Sequence, residues 1–148
     1  MRIALDTNIL VYAEGVNDVA RRDKTAQFLQ KLSPQNVYVP LQALAELFYV
    51  LVRKSGAEPA HARGVVLEWR EQYGIIDTSH EVLLSAMDLA LDHRFRIWDA
   101  IIIAAAASAD CRLLLSEDLQ DGFTWSGVTV VNPFGKTPNE LLAEALDQ

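Results

Sequence analysis

The feature that most constrains this chain is an alternation. Five very short apolar stretches are separated by longer segments with helical patterning. The stretches are Arg2–Leu5, Val37–Val39, Ile75–Ile76, Arg112–Leu115 and Val128–Val131. Strands this short and this apolar need cover on both faces. Parallel strands joined by helical crossovers provide it. The expectation is an α/β fold with a central, mostly parallel sheet of about five short strands. Ligands in such folds bind beyond the carboxyl ends of the strands.

The connecting segments fit that plan. Asn17–Leu32 sets Val19, Ala26, Phe28, Leu29 and Leu32 among charges, as an amphipathic helix does. Ser33-Pro34-Gln35-Asn36 stops it. Pro40 suits the first turn of a helix running to about Lys54, because its missing N–H costs nothing there. Pro59–Tyr73 is a further helix closed by Gly74. Thr78 and Glu81 form a capping-box pattern for a helix reaching about His93. Ile97–Asp110 is apolar almost all round, which predicts a helix buried on most sides. Asp6-Thr7-Asn8 reads as a polar turn and Ser116–Gly127 as a long polar loop. Thr137, Pro138 and Glu140 supply a cap, a first-turn Pro and a capping-box Glu for a last helix. With 148 residues, the expectation is one domain over 1–148, with 133–148 as a C-terminal loop and helix.

Composition removes several classes. Hydrophobic residues make up 51% of the chain, which excludes wholesale disorder. The single cysteine, Cys111, has no partner for an internal disulfide, and no signal-peptide pattern precedes Asp6. Both point to a reducing cytoplasm. The longest apolar run, Ala100–Ala107, is far below the roughly 20 residues that cross a bilayer, so no membrane role is expected. The net charge of −7 argues against nucleic-acid binding through overall charge alone.

Four acids stand where a solvated-surface explanation is weak. Asp6 ends the first strand, where a turn or helix cap is the plain alternative. Glu46 is the only charge between Val37 and Val52; the alternative is a solvent stripe with Gln42 and Arg53. Asp99 opens the most apolar helix, where a cap is again the alternative. Asp118 follows the fourth strand in a loop where acids are commonly solvated. As a set they are more informative. Three lie after strands or at a helix start, on one edge of the sheet, and the fourth lies on the helix after the second strand. Two like charges about 4 Å apart repel by roughly 4 kcal/mol at an effective dielectric near 20. Four such groups need a counter-charge. Hard oxygen donors without Cys or clustered His select Mg²⁺ or Mn²⁺ over Zn²⁺. Such a site activates water and stabilises a phosphodiester transition state.

Asp6-Thr7-Asn8 after an N-terminal strand, Glu46 in the second long helix, Trp98-Asp99-Ala100 at a helix start and Leu-Leu-Ser116-Glu117-Asp118 near the end resemble a PIN domain. More closely, the chain resembles the VapC group of toxin ribonucleases, in order and spacing over nearly its whole length. The resemblance implies a three-layer α/β/α nuclease that hydrolyses RNA with Mg²⁺ or Mn²⁺. It makes Asp6, Glu46, Asp99 and Asp118 the metal-binding catalytic acids. It gives Asn8 and Ser116 the role of holding the pocket together, with Asp121 as a lesser candidate beside it. It also implies a homodimer and a small VapB-type antitoxin. A non-toxin PIN nuclease of RNA processing and a catalytically silent PIN-fold interaction protein are the alternatives.

The remaining residues offer little rival chemistry. His61, His80 and His93 have no evident Ser or Cys partner, and Cys111 reads as a buried structural thiol. A haloacid-dehalogenase-type phosphatase needs a second Asp where Asn8 stands. A receiver domain needs paired acids near the first strand, and Asp6 has none adjacent. For RNA contact, Arg94, Arg96 and Trp98 combine cations with an aromatic just before Asp99. The alternative is a basic helix end with Phe95 and Trp98 in the core.

Overall fold

A computed structural model describes residues 1–148. Strand β1 (Ile3–Leu5) leads into helix α1 (Thr7–Ala13), followed by α2 (Val19–Lys31). A single 3₁₀ turn, Pro34–Asn36, delivers the chain to β2 (Val37–Pro40) and α3 (Leu41–Arg53). Then come α4 (Pro59–Gln72), β3 (Gly74–Ile76), α5 (His80–His93), α6 (Ile97–Ser108) and β4 (Leu113–Leu115). A short β5 (Thr124–Trp125), β6 (Val128–Val131) and α7 (Glu140–Leu146) complete the chain.

The six strands form one sheet in the order β3-β2-β1-β4-β6-β5. Every pairing is parallel except β5 with β6, which is antiparallel. Leu113–Leu115 and Ile3–Leu5 are wholly buried, as central parallel strands must be. Helix α6 packs against β2, β4 and β6 on one side and against α5 on the other. That double cover explains its uniform Ile-Ala composition, with Ala100–Ala106 all buried. Cys111 is buried beside it, and burial pushes its thiol up to about 12, so it is chemically inert.

The sheet positions the site through its order. The chain goes from β1 outward to β2 and β3, then returns to the other side of β1 for β4 and β6. The reversal falls between β1 and β4, paired as Ile3↔Leu113, Ala4↔Leu114 and Leu5↔Leu115. A crevice opens at such a switch point, beyond the carboxyl ends. The ladder is prolonged past both strands: Asp6 N donates to Leu115 O at 2.9 Å, and Ser116 N to Val131 O at 3.0 Å. Asp6 and Ser116 are thereby fixed at the floor of the crevice.

The expected strands and the helices after them are present, with three differences. Thr7–Ala13 is a helix rather than a turn, capped by Asp6. The expected loop 116–127 contains β5, which adds an antiparallel edge strand. The caps also move. Ser79, not Thr78, caps α5 by accepting from Val82 N at 3.1 Å, and Asn139, not Thr137, caps α7 by accepting from Leu142 N at 3.0 Å. In both cases a residue nearer the first helical turn reaches the free amide with better geometry.

Candidate active site

Asp6 is 6% exposed. Its Oδ1 accepts from the Thr7 amide at 2.7 Å, and its Oδ2 accepts from Ser116 Oγ at 2.7 Å and Asn8 Nδ2 at 3.2 Å. Even with these donors, burial raises its pKa to about 6, with Glu46 and Asp99 adding like-charge repulsion. The cap reading holds for Asp6, and it does not exclude a place in the crevice. One oxygen caps α1 and the rest of the carboxylate faces the crevice.

Asn8 is the hub of the polar floor. Its amide nitrogen lies 3.3 Å from both Ser116 Oγ and Asp118 Oδ2, and its Oδ1 accepts from the Glu117 amide at 3.1 Å. Ser116 is fully buried and also accepts from Leu119 N at 3.2 Å. These bonds fasten the loop after β4 to the first turn of α1, which sets where Asp118 stands.

Glu46 comes from α3, with Gln42 Nε2 donating to its Oε1 at 3.2 Å and Thr7 Oγ1 donating to its Oε2. It shares a helix face with Gln42, as the solvent-stripe reading required, but that face turns toward the crevice. Asp99 lies in the first turn of α6 and is not its cap, since Arg96 holds that position. Burial raises the Asp99 pKa, and Glu46 and Asp118 raise it further against the opposing pull of Arg96.

The four acids line one open cavity of about 430 Å³, with Thr7, Asn8, Val11, Tyr12, Asn17, Tyr49, Val50, Lys54 and Arg96. None of the four is ion-paired; the ion pairs of the chain involve only Arg21 and Arg22. Clustered, partly desolvated carboxylates without a paired cation suit a hard divalent ion. As they stand, no group of three or more His, Cys, Asp or Glu side chains converges tightly enough to hold one. Mg²⁺ is usually held by one or two carboxylates and several waters, so an open acidic cavity accommodates it without such convergence.

A match to the PIN domain family model spans residues 3–121. The chain belongs to the PIN-domain family. No curated protein matches it in sequence. Among solved structures, this PIN domain is similar to a toxin–antitoxin complex from Klebsiella pneumoniae at 23% identity, TM-score 0.68, covering 89% of this chain and 98% of that one. It is similar to VapC20 of Mycobacterium tuberculosis, a sarcin–ricin-loop-cleaving toxin, at 15% identity, TM-score 0.65, covering 76% and 86%. It is also similar to DNA-bound VapBC from Salmonella typhimurium at 16% identity, TM-score 0.64, covering 88% and 96%. These superpositions show a shared fold.

Other expected residues of the PIN domain separate into two groups. Asn8 and Arg96 line the cavity and Ser116 supports its floor. Asp121 does not line it; its Oδ1 accepts from Asn132 N at 2.9 Å, tying the loop to the end of β6. Arg94 caps α5 in a left-handed conformation, φ 59°, and Trp98 is 50% exposed, both off the cavity wall. Phe95 packs edge-on to Phe123 at 4.9 Å, as the core reading expected, and the exposed Trp98 departs from it. Sequence reasoning missed Thr7, Tyr12, Tyr49 and Glu117 as site residues; Lys54 reads there as part of a short Arg53-Lys54 charge run, a candidate RNA contact whose alternative is a solvated face. For Tyr49 a signal existed: it stands three residues after Glu46, on its helical face. Tyr49 lies on the cavity wall beside Glu46.

Proposed function

We propose that this PIN domain, acting as one unit over 1–148, is a Mg²⁺- or Mn²⁺-dependent ribonuclease and the toxin of a VapBC-type pair. The observation that carries the reading is the meeting of Asp6, Glu46, Asp99 and Asp118, from four separate elements, around one cavity with no paired cation. PIN domains are nucleases, and the similar solved structures include toxin–antitoxin complexes.

Asp6, Glu46, Asp99 and Asp118 are the residues that would hold the metal. A divalent ion bound there supplies the charge that activates a water and stabilises a phosphodiester transition state. The chain itself does the rest. Asp6 is held rigid by Thr7, Asn8 and Ser116. Asn8 carries that rigidity to Asp118. Arg96, on the cavity wall, supplies a cation for a substrate phosphate. The exposed apolar residues of α5 support a homodimer, and the fold shared with VapBC supports a small antitoxin partner. No helix is long and apolar enough to cross a membrane, in keeping with a cytoplasmic site of action on RNA.

The test is cleavage of total RNA with Mg²⁺ or Mn²⁺, with cut sites mapped. Asp99→Asn is expected to lower cleavage by at least about a hundredfold while melting as a folded protein, a loss typical of removing a principal charge-stabilising group. Cleavage that survives excess chelator or Asp99→Asn overturns the reading. RNA cleavage without growth arrest on expression identifies a non-toxin nuclease, and a folded protein without cleavage identifies a silent interaction module.

A further inference from the structure

The acidic cavity has a second, unlike wall. Along α3 beyond Glu46 stand Tyr49 and Lys54, both lining the cavity. Tyr49 is 59% exposed although it sits on a helix whose opposite face is deep core. Lys54 has no carboxylate within ion-pairing distance, and neither has Arg96, the other cation of the cavity. An unpaired cation beside four acids is not explained by mutual neutralisation. At about 1.5 Å rise per residue, Tyr49 lies about 4.5 Å and Lys54 about 12 Å along the helix axis from Glu46. Acid and aromatic face follow one another along α3 and the cation stands at its C-cap, all three lining the one cavity.

That order suits single-stranded nucleic acid. An aromatic face stacks an unpaired base of any sequence, and a cation one turn further on meets a backbone phosphate. A protein partner favours a broader apolar surface; α3 also exposes Leu41 and Phe48, but neither lines this cavity, where Val50 alone stands beside Tyr49 and Lys54 from this stretch of chain.

We infer that Tyr49 and Lys54 form a nucleotide subsite: Tyr49 stacks an unpaired base next to the scissile phosphate, and Lys54 holds the phosphate beyond it. The inference rests on the ribonuclease reading and deepens it. It assigns the substrate a single-stranded or splayed segment at the cut, and it makes α3 the track along which the strand leaves the acids.

The test uses the full chain and an RNA oligonucleotide spanning a cut site mapped with the parent. Tyr49→Ala is expected to raise KM about tenfold, within the range for losing one base stack, with the loss recovered at saturating RNA. Tyr49→Phe, which keeps the ring, restores most of the affinity. Lys54→Gln raises KM and flattens the dependence of log KM on log salt by about 0.7, the value for one phosphate contact on a single strand. An abasic nucleotide at the stacked position weakens the parent and leaves Tyr49→Ala indifferent. Arg70→Gln, on α4 away from the cavity, is the control. A second arm measures binding of the labelled oligonucleotide in Ca²⁺, which takes the same oxygen donors. A parent that binds in Ca²⁺ but does not cleave in Mg²⁺ or Mn²⁺ overturns the ribonuclease reading alone. A parent that cleaves while Tyr49→Ala leaves KM unchanged, or remains sensitive to the abasic site, overturns the subsite alone. Unchanged KM with a lost copurifying protein partner reassigns the wall to that partner and equally overturns it.

Discussion

A single buried carboxylate sets the chemistry of the metal-free protein. Asp6 ionises near 3.8 in an unfolded chain and about 6 in the folded one. Between those values the folded state binds more protons, so the stability contributed by this group is greatest at low pH and is lost as pH rises through the window. A shift of that size corresponds to about 3 kcal/mol at neutral pH. Asp6→Asn removes the ionisation and keeps an acceptor for the Thr7 amide. It also sets an amide N–H₂ against the Asn8 donor, which offsets part of the gain. In chelator at pH 7.5 the variant is therefore expected to melt above the parent, with the difference shrinking toward pH 4.5. Added Mg²⁺ should raise the melting temperature of the parent and not of the variant, since only the parent keeps the full donor set. A variant that melts lower at both pH values would show that the hydrogen-bond net outweighs the desolvated charge.

Among elements, the helices are where sequence and structure agree best and where their disagreement is most instructive. Helix α6 was legible because burial on two sides leaves no polar stripe. Asp6 and Asp99 were legible as misplaced charges for the same reason, since apolar neighbours make a carboxylate conspicuous. Helix α1 was not legible. Its seven residues begin at a polar Asp-Thr-Asn cap and give too few turns to show a helical period. Strand β5 is two residues long and exists only by pairing with β6, which no local pattern reports. Hidden with α1 was a clamp on the loop after β4, which carries Asp118. Arg21 Nε of α2 donates to Glu117 Oε2 at 2.5 Å, Tyr12 OH of α1 donates to Glu117 Oε1 at 3.0 Å, and the Arg21 guanidinium lies 5.2 Å from the Phe134 ring. Glu117 does not line the cavity, yet it precedes Asp118 and its amide is held by Asn8. If Asp118 holds a metal as proposed, Glu117 is a positioning residue. Glu117→Gln is expected to raise the Mg²⁺ concentration for half-maximal cleavage by up to about tenfold, as loss of an outer support to a metal ligand does. The rate at saturating Mg²⁺ should fall far less. A metal titration of cleavage checks this, and an unchanged midpoint assigns the clamp to stability alone.

For the molecule as a whole, the net charge of −7 first spoke against RNA. The structure concentrates four of the acids in one cavity, where each bound divalent ion cancels two charges. On the ribonuclease proposal, attraction of RNA is then local rather than global, and steering by the overall field is weak. Choice of target falls to the cavity walls and to whatever surface a second copy adds. Helix α5 presents Leu84, Met87 and Leu91 at helical spacing, with Leu91 80% exposed, whereas the exposed aliphatics elsewhere, Val19 and Leu41, stand singly on separate helices. An apolar stripe of that kind marks an association surface, and a self-complementary helix face pairs most simply about a two-fold axis. Leu91→Glu places a charge in such a contact at its most exposed apolar residue, where burial without a partner is costly. Sedimentation equilibrium should show the parent as a dimer and the variant as a monomer. All four acids come from one chain, so the monomer should keep cleavage of a short oligonucleotide. It should lose efficiency on a structured RNA long enough to touch both protomers. A parent that sediments as a monomer, or a variant that stays dimeric, removes α5 as the interface and leaves target choice to the Tyr49–Lys54 wall.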